Sequence, residues 1–193
     1  MSNPKDILRT EALRHRARFD PRSENPEAAT EHFLLALSPS PDQIIAAYWP
    51  KSGEFDTRPL LDDLLRRGFT CALPVMQKDT RVLKFARWDD RIPLRASQFN
   101  VMEPTINNLT EWVTPDIVIV PMLAFDRRGF RLGHGFGYYD ATLAALRHDR
   151  EIIVVGVAYG QQACLFNLPV EDHDEAMDII ITPQGAQDFR NKE

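Results

Sequence analysis

Cysteine is scarce in this chain. Only Cys71 and Cys164 occur among 193 residues, both beside apolar neighbours, which excludes a disulfide-stapled secreted scaffold and fits reduced thiols in a cytoplasmic protein. No partner base for Cys71 can be read from the sequence, so no covalent nucleophile is expected. Long apolar runs are missing as well. The longest are strand-sized, far short of the ~20 residues of a membrane-spanning helix, and the early charges Lys5, Asp6, Arg9, Glu11 and Arg14 leave no apolar signal-peptide region. Nor is there an excess of positive charge. The net charge is −5 with both signs interspersed, which argues against the basic face of a nucleic-acid binder. No repeat, low-complexity tract or linker interrupts residues 1–193. A single domain is therefore expected, with no obligate protein partner evident, and at this length burial of roughly 70% of the unfolded surface supports a core without metal or disulfide staples.

Glycine is sparse too, nine in all, yet Gly129, Gly133, Gly135 and Gly137 fall within nine positions. They lie in a run from Phe125 to Asp140 that follows the β-branched stretch at 116–121 and precedes a helical pattern at 139–147. At such a strand-to-helix turn, free backbone N–H groups and the helix dipole attract anions. Missing Cβ atoms let the backbone take positive φ and approach a ligand closely. Neither common nucleotide fingerprint is present: there is no P-loop lysine, and Gly133-His-Gly135-Phe-Gly137-Tyr138 lacks the last glycine of the dinucleotide pattern. The interleaved Arg131, His134, Tyr138, Tyr139 and Asp140 set the run apart from a plain surface turn, and Arg127, Arg128 and Arg131 concentrate positive charge beside it. The acidic stretch from Glu171 to Asp178 is expected to be a solvated loop at Glu171, Asp172 and Glu175.

Periodicity places the elements. Asn3 can cap a helix that begins at Pro4, with Leu8, Ala12 and Phe19 on an apolar face and Lys5, Arg9 and Arg16 on another. A second helix is expected over 28–37, a strand over 44–48, a loop through Ser52, Gly53 and Glu54, and a helix over 58–67 capped by Asp56 or Thr57 and closed by Gly68. Strands follow at 69–73 and 82–88, the second of mixed polarity and suited to a sheet edge. The runs 117–120, 152–155 and 179–181 are uninterrupted and β-branched, as in parallel strands buried on both faces. The fold class is α/β: a three-layer Rossmann-like domain with a mostly parallel sheet and an N-terminal helical arm over 1–40. Ligands of such sheets gather at the carboxyl ends of the strands, where the glycine run must lie.

The segment Pro121-Met-Leu-Ala-Phe125-Asp126-x-x-Gly129-x-Arg131-Leu132-Gly133-x-Gly135-x-Gly137-Tyr138-Tyr139-Asp140 resembles the signature of 5-formyltetrahydrofolate cyclo-ligases, also called methenyltetrahydrofolate synthetases. Lys5-Asp-Ile-Leu-Arg9, Glu54-Phe-Asp56-Thr57, Met102-Glu103-Pro104 and the succession Gly156-Val-Ala-Tyr159, Gln162, Leu168-Pro169, His173-Asp174, Asp178 and Ile181-Thr182 agree with that family in order. Two departures stand out: the family's more usual Gly-Tyr-Gly-Gly-Gly is Gly133-His-Gly-Phe-Gly137 here, and its Asp-Arg is Asp140-Ala141.

The resemblance implies a parallel-sheet α/β fold and an ATP-dependent ligase that closes 5-formyltetrahydrofolate to 5,10-methenyltetrahydrofolate, releasing ADP and phosphate. By the same resemblance, ATP is bound by Lys5, Arg9, Arg131, Gly133, His134, Gly135, Phe136, Gly137, Tyr138 and Tyr139. The reduced folate is bound by Glu54 with His134, Gly135, Phe136, Gly137 and Tyr138, and Mg²⁺ by Asp140 and Asp178. His173 is read as structural, since no Cys/His cluster accompanies it. The competing reading is a non-catalytic folate- or nucleotide-binding regulator on the same fold. An isomerase or CoA transferase would need a catalytic carboxylate that the sequence does not single out.

Overall fold

A computed structural model describes residues 3–20, 23–51, 53–97 and 99–190, so Ser52 of the expected loop lies outside the described residues. Twelve strands form among them: β1 (Ile44–Ala46), β2 (Thr70–Val75), β3 (Lys84–Arg87), β4 (Leu94–Ala96), β5 (Met102–Pro104), β6 (Trp112–Val113), β7 (Ile117–Val120), β8 (Ala124–Phe125), β9 (Arg131–Leu132), β10 (Ile153–Val157), β11 (Ile179–Thr182) and β12 (Gly185–Asp188). Eight of them make the main sheet in the order β12-β11-β10-β7-β1-β2-β3-β6. The five inner strands from β11 to β2 run parallel, and β12, β3 and β6 add antiparallel edges.

Alternation along the β-branched runs builds two cores. Ile117, Ile119, Val155, Ile179 and Ile181 face one side with Phe33, Leu61 and Leu64, which come from helices α2 (Ala28–Leu37) and α3 (Arg58–Arg66). Val118, Val120, Val154 and Ile180 face the other with Leu143, from α4 (Tyr138–Asp149). Successive strand residues point to opposite faces, so each run feeds both layers, and the expected three-layer architecture is what forms. Gly156 sits in the middle of β10, where an added Cβ would lie 2.3 Å from Met177 Sδ and 2.5 Å from Met122 Cε. Gly156→Ala is expected to overpack this spot and cost about 1–3 kcal/mol, read as a lowered Tm in thermal unfolding. An unchanged Tm would mean the two methionines simply move aside.

Two local expectations change and one pair of alternatives is decided. The strand at 82–88 is β3, which pairs with both β2 and β6, so it is not the edge; its mixed polarity arises because Lys84 and Arg87 are exposed while Phe85 and Ala86 are buried. Thr57 holds the N-cap position of α3 without a side-chain cap bond, because its hydroxyl donates to Tyr48 O, and Arg58 N donates instead to Asp56 Oδ1 at 3.1 Å. The glycine run does not leave β7 directly, since the β8–β9 hairpin intervenes.

Helix α1 (Pro4–Arg18) starts as expected, with Asn3 Oδ1 accepting from Lys5 N at 3.0 Å. Leu8 and Ala12 pack on Ala124, Leu132 and Leu168, and Phe19 meets Tyr159 edge-on. Among the described residues no helix is long and apolar enough to cross a membrane.

Candidate active site

A cavity of about 450 Å³ opens at the carboxyl ends of the parallel strands, within the size range of ligand pockets. Its floor comes from Tyr48 and Trp49 after β1, Met76 after β2 and Pro121 after β7; its wall is the loop Gly133–Gly137 and the first turn of α4, and α1 lies along its rim. Gly135 (φ 95°) and Gly137 (φ 72°) both take left-handed conformations that a side chain resists. Gly137 is also the residue that precedes α4, so the loop delivers its backbone to the positive end of that helix dipole.

The cations of α1 reach three different loops. Arg9 Nε donates to Gly133 O at 3.1 Å, with Nη1 on Asp6 at 2.5 Å, and its guanidinium lies so close over Gly135 that a Cβ there would be 3.0 Å from Cζ. Lys5 is buried, its Nζ 2.7 Å from Glu171 Oε2 and 2.5 Å from Asp174 Oδ2. Burial acts to lower the ammonium's pKa, but the bonds to Asp174 and Glu171 outweigh it and raise it above its ordinary value. Burial likewise acts to raise the Asp174 carboxyl, and Lys5 wins, holding it low. Arg16 stands over Gly53, and its charge acts on Glu54.

Glu54, like Glu103, is a buried carboxylate of the site. Its Oε2 accepts from Lys51 N at 2.8 Å and its Oε1 lies 3.2 Å from His134 Nε2. Burial works against its charge, yet the His134 and Lys51 hydrogen bonds, with the positive field of Arg16, hold the carboxyl below its usual range. Phe136 stacks on Phe99 at 4.8 Å and Tyr138 meets the same ring at 6.0 Å. Tyr139 instead packs toward the core, and burial pushes its hydroxyl's pKa far up.

The structure thus brings Lys5, Arg9, Glu54, Arg131, the loop 133–137, Tyr138, Tyr139 and Asp140 to one cavity. It does not bring Asp178 there. Asp178 precedes β11, at the amino end of the parallel strands, where its Oδ2 accepts from Val154 N at 2.7 Å and Arg147 Nη2 at 3.1 Å. Asp140 lines the cavity and Asp178 does not; the two stand at opposite ends of α4, Asp140 in its first turn and Asp178 against Arg147 in its last. Asp178 is a strand-end carboxylate bound to the far end of α4. Arg131 is already engaged by Asp140 Oδ1 (2.7 Å) and Glu175 O (2.7 Å). Arg128 leaves the cavity to bind buried Asp126.

The acidic stretch is less solvated than expected: Glu171 holds Lys5 and Glu175 holds Arg147 at 2.5 Å. Glu171, exposed His173 and Asp174 place ligand atoms within 4.8 Å of one another, carboxylate company that a search for Cys/His clusters overlooks. Phe99 and Glu103 also line the cavity. Phe99 carried no sequence signal, whereas Glu103 lay in a recognised Glu-Pro pair to which no role attached.

Over residues 1–183 the chain matches the 5-formyltetrahydrofolate cyclo-ligase family. A Haemophilus influenzae 5-formyltetrahydrofolate cyclo-ligase is 33% identical over 180 residues, spanning 90% of this chain and 95% of that protein. The Mycolicibacterium smegmatis protein of the same name is 33% identical over 190 residues, 93% of this chain and 94% of its own length. The NMR structure of Aquifex aeolicus 5,10-methenyltetrahydrofolate synthetase superposes with a TM-score of 0.74 at 28% identity, covering 98% of this chain and 94% of that one. A Mycoplasma pneumoniae 5,10-methenyltetrahydrofolate synthetase, at 22% identity and a TM-score of 0.69 over 93% of this chain and 98% of that one, shares the fold.

Proposed function

Because the chain belongs to the 5-formyltetrahydrofolate cyclo-ligase family, we propose that it is a single-domain, cytoplasmic enzyme that uses ATP and Mg²⁺ to close 5-formyltetrahydrofolate to 5,10-methenyltetrahydrofolate, with release of ADP and phosphate. The observation that carries this reading is the 3.2 Å contact between His134 on the glycine loop and buried Glu54, which joins an anion-binding turn to a polar anchor for a heterocycle inside one cavity. A phosphate donor and a folate could meet there.

In this reading the formyl oxygen attacks the γ-phosphate, a folate nitrogen attacks the activated carbon, and phosphate leaves. The protein's work is alignment and charge neutralisation. The loop 133–137 offers backbone N–H groups to the phosphates, Arg9 covers them, Glu54 accepts from the folate's ring N–H groups, and the Phe99, Phe136 and Tyr138 rings form an apolar wall. Asp140, Glu171 and Asp174 present carboxylates to the same cavity, and such oxygens suit Mg²⁺; to hold it, Asp140 would have to share its charge with Arg131, and Glu171 and Asp174 theirs with Lys5. Mg²⁺ supplies positive charge to the nucleotide's phosphate oxygens when bound. Asp178 has no part in this.

Purified protein given ATP, Mg²⁺ and 5-formyltetrahydrofolate should accumulate methenyltetrahydrofolate, followed by its near-ultraviolet absorbance, and omission of any one should abolish it. No product with all three present would refute the reading. Arg9→Ala removes a charged contact of roughly 1.5–3 kcal/mol and is expected to lower ATP-dependent kcat/KM about ten- to a hundredfold with the folate KM little changed. An Arg9→Ala enzyme with wild-type ATP dependence would make Arg9 a structural strap only.

A further inference from the structure

We propose that His134 is a catalytic residue that takes the proton from folate N10 as the ring closes and passes it to the departing phosphate. This rests on the cyclo-ligase reading above and assigns a role to a position where the chain departs from the family it resembles. The chemistry requires a proton acceptor. When the N10 lone pair attacks the phosphorylated formyl carbon, a C–N bond forms and N10 carries a proton it must lose. The C–O bond to phosphate then breaks with its electron pair leaving on oxygen, the five-membered ring keeps the positive charge across N5 and N10, and the freed phosphate gains affinity for a proton. One group that touches both ends can transfer it, and the balance needs no other reactant.

His134 is so placed. Imidazole is the side chain whose charge changes near neutral pH. It projects from between Gly133 and Gly135, on the loop read as the phosphate cradle, and its Nε2 rests against Glu54, on the side read as the folate anchor. The ring is about one-third exposed, while the Glu54 side chain is 5% exposed. A buried carboxylate on one ring nitrogen orients the imidazole and stabilises its charged form, the arrangement that lets a histidine act as a base and then as an acid. Nδ1 remains for substrate. Other charged and titratable groups around the pair include Arg9, above Gly133 and Gly135; Arg16, acting on Glu54; Tyr48 and Tyr139, whose hydroxyls burial keeps protonated; and Lys51 and Glu103, which line the same cavity without a hydrogen bond to the His134 ring. Of these, His134 and Glu54 alone combine a proton-accepting atom with direct mutual contact.

His134→Gln keeps an amide able to bond Glu54 but cannot carry a proton. It is expected to lower kcat about 100-fold, leave the ATP and folate KM values within a few-fold, and abolish the acid-side fall in kcat that a histidine base predicts. Added imidazole should restore part of the kcat of His134→Ala, a response that a packing role cannot give. Thermal unfolding of both variants verifies folding, and because rescue is read within one variant it survives a modest stability loss. An active wild type whose His134→Gln form keeps its kcat and acid limb, or a His134→Ala form that imidazole leaves unrescued, overturns the proton-transfer role alone. A wild type that forms no product overturns the cyclo-ligase reading itself.

Discussion

Asp126→Ala is expected to lower the free energy of unfolding by about 1–3 kcal/mol at neutral pH, the cost of leaving buried donors without their acceptor. The Asp126 side chain is fully buried. Its two oxygens accept from Arg128 N (2.9 Å), Phe130 N (3.2 Å) and Leu168 N (2.9 Å), and its Oδ2 also takes Arg128 Nε and Nη2. One carboxylate therefore closes the turn of the β8–β9 hairpin and pins a segment forty residues downstream; alanine leaves those N–H groups without acceptors in a dry site. Burial pushes the carboxyl's pKa up, but the hydrogen bonds from Arg128 and from the backbone win and hold it below its ordinary 3.8. Its contribution is accordingly complete above that ordinary value and is lost as pH falls through the depressed one. The gap between wild type and variant should be widest at neutral pH and narrow in acid. Chemical denaturation at both pH values measures it, and a neutral-pH loss under about 1 kcal/mol, the worth of an ordinary hydrogen bond, would show that the site relaxes around the missing group.

Gly135→Val should damage catalysis more than any change discussed for the α1 cations. At φ 95° a β-branched residue is strained by about 1–3 kcal/mol, and its Cβ would lie 3.0 Å from Arg9 Cζ, so Arg9 must move and its charged contact, worth roughly 1.5–3 kcal/mol, goes with it. Taking about 4 kcal/mol for the two together, ATP-dependent kcat/KM falls about a thousandfold. The same strain is carried by the folded state, so the Tm should also fall by a few degrees, while the sheet cores, which the loop does not join, stay intact. Calorimetry supplies the check: wild-type ATP affinity in Gly135→Val would contradict a cradle centred on this residue.

What the sequence disclosed was whatever rests on local regularity. The runs at 117–120 and 179–181 could only be strands buried on both faces, and both are inner strands, β7 near the centre of the sheet and β11 beside the β12 edge. Asn3-Pro4 marked the start of α1, and the seven-residue spread from Arg9 to Arg16 placed both on the face that meets the loops. The glycine run was legible because unusual backbone demands an unusual residue, whereas the hairpin ahead of it, two residues per strand, is too short for periodicity to register. Asp178 misled because a carboxylate at a strand end looks alike at either end of the sheet; only the parallel register, which turns Asp178 toward Val154 and Arg147, tells the two apart. The Lys5 clasp on Glu171 and Asp174 joins residues more than 160 positions apart, a pairing no local pattern encodes.

That separation orders events during synthesis. A ribosome releases α1 before the other described elements, yet Arg16, Arg9 and Lys5 find their places beside Glu54, on Gly133 and finally on Asp174, the last only after more than 160 residues beyond Lys5 have been made. With few apolar residues, α1 has little to hold it as a helix alone. Every nascent intermediate short of Asp174 therefore carries an open cavity, and α1 can take its seat along the rim only when the remainder has formed.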